Sequence, residues 1–122
     1  MRFTQDPSSN RYLIRSYAAG EIKINDQVFR HSVIVGPSSI APVPAVSDAG
    51  ELTAAHTADI VALAPELVLV GTGIRQVFPP AEFGAQFLRA GIGFEVMDTG
   101  AACRTFNVLV TEQRRVVALL LI

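Results

Sequence analysis

Gly93-Phe94-Glu95-Val96-Met97-Asp98-Thr99-Gly100-Ala101-Ala102-Cys103-Arg104-Thr105-Phe106-Asn107 is the stretch that decides how this chain folds. Phe94, Val96 and Met97 make a short apolar run of strand character, and Asp98-Thr99-Gly100 supplies residues suited to a helix cap. From about Ala101 the apolar residues recur at helical spacing, with Ala102, Phe106, Leu109 and Val110 on the inner side. A strand running straight into a capped helix leaves backbone N–H groups at the carboxyl edge of a sheet, where α/β proteins bind ligands.

The same arrangement occurs upstream. Leu67-Val68-Leu69-Val70 is an unbroken apolar run, the mark of a strand covered on both faces, and it ends in Gly71-Thr72-Gly73. That glycine pair is neither a dinucleotide fingerprint nor a P-loop, because no third glycine opens a helix and no Gly-Lys-Ser/Thr follows. Thr53 reads as the cap of a helix closed by Pro65, with Ile60, Leu63 and Ala64 inward and Thr57 and Asp59 toward water. Pro79-Pro80 sets up a further helix in which Phe83 and Phe87 pack on the sheet, and Gly91 stops it. Glu112 to Arg115 ends the last helix, and Val116 to Leu121 is a central strand.

The first third reads differently. Pro7-Ser8-Ser9-Asn10 reads as a loop, and Tyr12-Leu13-Ile14 opens a strand. Glu21 to Ile24 alternates as a half-exposed strand, and Val28 to Val35 returns as its hairpin partner. Gly36 to Pro44 is a proline-rich connector over one sheet face. The expected fold is therefore α/β: one layered domain over residues 1–122, with a mixed central β-sheet flanked by helices and an N-terminal β-hairpin.

Composition narrows the function. Half of the 122 residues are hydrophobic and 17% are charged, a surplus that leaves room for a protein partner or a homo-oligomer. A net charge of −1 with one lysine, Lys23, gives no basic stripe, so no nucleic acid is expected. The single cysteine excludes an internal disulfide, and with two distant histidines it leaves no metal site. The opening residues lack the layout of a secretory signal, and no apolar run is long enough for a membrane span, so the expected compartment is the cytoplasm.

If the two apolar strands are parallel neighbours, Gly71-Thr72-Gly73 and Asp98-Thr99-Gly100 open on one rim. Gly71, Thr72, Gly73, Thr99, Cys103, Arg104 and Asn107 are then the candidate ligand-binding residues, with Arg75 or Arg104 suited to a small anion. Cys103 near a helix start and Arg104 is a thiolate candidate, but no histidine is its neighbour in sequence; His56 is the one that folding could bring near. Glu95 and Asp98 are not spaced as an acid/base pair. No catalytic set and no cofactor is legible.

Leu67 to Gly73, Gly91-Ile92 with Glu95 to Thr99, and Ala102 to Leu109 together resemble the Mth-type domain of unknown function. That family includes the mitochondrial complex I assembly factor three and the adipogenesis-associated Mth domain-containing protein. The resemblance spans nearly the whole chain and implies a single α/β domain with extra N-terminal β structure. It brings no catalytic residues or cofactor, and favours a non-enzymatic binding or assembly module over the alternative, a small-molecule or anion-binding protein or enzyme. The chain departs from the family's pattern in having no tryptophan, in Phe106 where tyrosine is frequent, and in Gln113 where glycine often precedes Arg114.

Overall fold

The computed structural model describes residues 11–122, so the expected loop at Pro7–Asn10 lies outside the described residues. Two sheets form. β1 (Ile14–Ala18), β2 (Glu21–Ile24) and β3 (Gln27–Phe29) make an antiparallel meander. The larger sheet has the order β5-β4-β8-β6-β7, built from β4 (Val33–Val35), β5 (Ile40–Pro42), β6 (Leu67–Thr72), β7 (Gly93–Met97) and β8 (Val116–Leu121). It is mixed: β8, β6 and β7 run parallel, while β4 lies antiparallel to β8 and β5 antiparallel to β4. The helices are α1 (Ala54–Val61), α2 (Ala81–Arg89) and α3 (Thr99–Thr111).

Burial on both faces explains the unbroken apolar strands. Along β8, Val116, Ala118 and Leu120 join one core with Leu69, Phe106 and Val110, beneath α3 and the meander. Val117, Leu119 and Leu121 join the other, with Val68 and Val70 of β6, Ile60 of α1, and Phe83 and Phe87 of α2. Side chains alternate across a strand, so a strand flanked by two apolar layers needs apolar residues at every position. β8 sits in the middle of its sheet, as its composition required.

Several local readings are corrected. Val28 to Val35 is not one strand: the chain leaves the meander after Phe29, turns at Arg30-His31-Ser32 and enters the main sheet as β4. The proline-rich connector contains an edge strand, β5, where Pro42 needs no ladder donor on its open side. α3 starts at Thr99 rather than near Ala101, with the Asp98 carboxylate accepting from the Ala101 N–H at 2.9 Å. α1 ends at Val61, which leaves Leu63 and Ala64 outside it and exposed. Thr57 does not face water; it is buried and donates to the Phe83 carbonyl at 3.2 Å, tying α1 to α2.

Candidate functional site

The register of β6 against β7 sets Gly71 opposite Met97, so the two strands deliver their following loops to one edge. There the loops fasten to each other. The Thr99 N–H donates to the Gly73 carbonyl at 2.9 Å, and Thr99 Oγ1 accepts from the Gly73 N–H at 2.7 Å. The same hydroxyl donates its one proton to the Leu121 carbonyl at 2.6 Å, and the residue is fully buried. Gly71 makes room for this. A Cβ on it would sit 2.9 Å from Thr99 Cα and 3.1 Å from Ala102 Cβ, so the helix start packs directly on the strand backbone. Thr72 closes its own loop, donating to the Arg75 carbonyl at 2.6 Å and accepting from the Val77 N–H at 2.9 Å.

On α3, Cys103 points into the core, and burial pushes its thiol up to about 12 despite the opposing influence of Arg104. A thiol held that high is protonated at neutral pH and is a poor nucleophile. His56 lies on α1, across the sheet, where its Nδ1 accepts from the Thr53 N–H at 3.0 Å. Asn107 spends its amide on Ile14, accepting from that residue's N–H and donating to its carbonyl, both at 2.8 Å. Among the described residues no group of three His, Cys, Asp or Glu side chains is placed to hold a metal.

Of the seven expected residues, Gly71, Thr72, Gly73 and Thr99 meet at the rim, while Cys103, Arg104 and Asn107 follow down α3 and border a separate concavity. Thr72 and Gly73 border a cleft of about 570 Å³ with Asp48, Arg75 and Ile122. Cys103, Arg104 and Asn107 border another of about 210 Å³ with Arg15 and Ser16. Gly71 and Thr99 lie packed between. Tyr17 lines both clefts, and burial raises its phenol pKa, with the Asp98 charge adding to the rise. Sequence reading missed Tyr17 because nothing distinguishes one alternating strand residue before the meander's partners are known.

A different surface stands out beside this rim. In the segment joining β6 to α2, Ile74 is 76% and Phe78 74% exposed, and Leu88 on α2 is 66% exposed. Phe78, Pro79, Pro80, Gly84, Leu88 and Phe94 border an apolar groove of about 380 Å³. Gly84 creates its floor, since a Cβ there would lie 2.6 Å from the Phe94 ring. The groove runs beside β7, the open edge of the main sheet, whose Val96 carbonyl accepts from Gln76 Nε2 at 2.9 Å.

The "13 kDa major membrane protein" of Francisella tularensis subsp. holarctica is 31% identical over 103 residues, covering 84% of each chain. The "NADH dehydrogenase [ubiquinone] 1 alpha subcomplex assembly factor 3" of Danio rerio is 31% identical over 124 residues, covering 96% of this chain and 68% of that protein. The solution structure of a Bordetella pertussis protein, described as a Mth938-like domain, superposes with a TM-score of 0.82 at 32% identity, over 99% of this chain and 92% of that one. A protein family described as "Protein of unknown function (DUF498/DUF598)" matches residues 14–121, from the first residue of β1 to the last of β8. With the Mth-type fold and the strand-end motifs in place, the chain belongs to the DUF498/DUF598 family.

Proposed function

We propose that the domain is a non-enzymatic binding module of the assembly type, holding a protein partner on the apolar surface from Ile74 to Leu88. The observation that carries this reading is the exposure of Phe78 and Leu88 around a groove with almost no polar lining, with exposed Ile74 in the same connecting segment. Clustered exposed apolar side chains of this size mark interaction surfaces. The similarity to an assembly factor over 96% of the chain supports the same reading. So does the internal use of both strand-end threonine hydroxyls, which lowers the expectation of chemistry at the rim.

The test is a pull-down from native extract with the wild-type chain and with a Phe78→Asp/Leu88→Glu variant. One defined partner recovered by the wild type and lost in the variant supports the module. Recovery of the chain alone, with a sizing profile of a self-associated species, replaces the partner by a homo-oligomer. Among the described residues no helix is long and apolar enough to cross a membrane. The same reading places the domain in the cytoplasm, with lone Cys103 reduced, and any membrane association of the kind the Francisella name implies would run through the apolar surface.

A second reading rests on the clefts flanking Tyr17, as a site for a small molecule or anion near Arg75 or Arg104. Arg75→Gln is the suitable control in a thermal-shift screen of small anions, because Thr99 is part of the packing. A ligand at ~100 times its dissociation constant stabilises by about 2.7 kcal/mol. Equal shifts in wild type and variant would remove the larger cleft from consideration.

A further inference from the structure

At the opposite edge of the main sheet from Thr72 and Thr99, three arginines gather around a cleft of about 320 Å³. Arg11 comes from the segment before β1, Arg114 and Arg115 from the turn between α3 and β8, and Ser38 and Ser39 from the turn between β4 and β5. Each guanidinium is fixed along one edge. Arg11 Nη1 donates to the Val110 carbonyl at 3.1 Å, and Arg115 Nε donates to the Ala64 carbonyl at 3.3 Å. Arg114 Nε meets Glu66 Oε2 at 3.1 Å. A guanidinium carries five N–H donors in a rigid planar fork, so a single anchor orients it and leaves other donors for a ligand.

Glu66 does not cancel this cluster. Its second oxygen accepts from the Arg115 backbone N–H at 2.9 Å, and it is one carboxylate beside three cations. No acidic side chain among the described residues lines the cleft itself. Three of the ten cationic side chains thus share one concavity in a chain whose net charge is −1.

We propose that this cleft binds the phosphate group of a phosphorylated small molecule. Planar guanidinium forks match phosphate oxygens, and Ser38 and Ser39, with hydroxyl groups able to donate, line the same cleft. The volume lies at the low end of ligand pockets, which fits a sugar phosphate and not a dinucleotide.

Calorimetric titration of the full chain with inorganic phosphate and with ribose 5-phosphate, at ionic strength held constant with NaCl, tests this. The expected result is saturable binding, tighter for ribose 5-phosphate, weakened about tenfold or more by Arg115→Gln and unaffected by Arg75→Gln at the far edge. Should Arg115→Gln fold poorly, the paired Ser38→Ala/Ser39→Ala change in the surface turn carries the test, with at least a severalfold loss expected. Absence of saturable binding by either probe overturns the proposal. So does binding that survives both arginine and serine changes, or that disappears with Arg75→Gln instead.

Discussion

Asn107 of α3 holds both polar backbone groups of Ile14, its side-chain amide accepting from the N–H and donating to the carbonyl at 2.8 Å each. It acts as one rung of a missing strand. β1 is irregular between Ile14 and Ser16 where it pairs with β2, so the amide anchors the meander to α3 near that irregularity. Replacing it with an isosteric apolar residue leaves a backbone donor and acceptor behind the buried Ile14 side chain without partners. Asn107→Leu is therefore expected to lose about 2 kcal/mol or more in urea unfolding, with faster amide exchange confined to residues 12–25. An unchanged midpoint would show that water replaces the amide at no cost.

Gly71 and Gly73 separate two meanings of glycine. A side chain at Gly71 collides with the Thr99 backbone at 2.9 Å, whereas Gly73 has open space but a φ of +95°. Gly71→Ala is expected to cost about 1–3 kcal/mol through displacement of α3. Gly73→Ala should cost about 1 kcal/mol through backbone strain, with α3 undisturbed. Chemical denaturation with methyl NMR shifts at Ala102 distinguishes them: only the first variant should move that signal strongly.

α2 and α3 end in the same way with different residues. At α3 the Arg114 N–H donates to Leu109 and the Gln113 N–H to Val110, both at 2.9 Å, with Gln113 at φ +63°. At α2, Ile92 and Gly91 make the matching bonds, with Gly91 at φ +75°. Both are left-handed caps that favour glycine. Gln113→Gly is expected to stabilise by about 1 kcal/mol and Gly91→Gln to destabilise by a similar amount. Shifts of the same sign in thermal unfolding would contradict this.

Burial of Cys103 makes stability fall in base. Its thiol moves from an ordinary 9.0 to about 12, so above pH 9 the unfolded chain releases a proton that the folded chain retains. The contribution is fully present below about 9 and is lost as pH climbs toward 12. Cys103→Ala should flatten the decline between pH 9 and 10.5 relative to wild type. In the native protein near neutral pH, iodoacetamide should label Cys103 far more slowly than in urea. Rapid native labelling would reopen a thiol role.

Much of this architecture can be read from the chain because β6, β8 and α3 carry periodicities that burial imposes locally. Val28 to Val35 misleads for the opposite reason. Its break at Arg30-His31-Ser32 has no glycine or proline, and only the different partners, adjacent β2 for one half and distant β8 for the other, separate the two strands. β5 is hidden by Pro42, whose missing donor is harmless only on an edge, and edge position is a property of the finished sheet. At the rim, strand endings place Gly71-Thr72-Gly73 beside Thr99, yet hydroxyl direction is set by the Leu121, Arg75 and Val77 backbone. The Ile74–Phe78 surface has no periodicity to announce it.

In-cell photo-cross-linking tests the central claim most directly, with a benzophenone side chain placed in turn at Phe78, at Leu88 and, on the meander, at exposed Lys23. A binding surface around the α2 groove predicts the same discrete heteromeric adduct from Phe78 and Leu88 and none from Lys23. Adducts of equal yield from all three positions, or none from the groove, would contradict it.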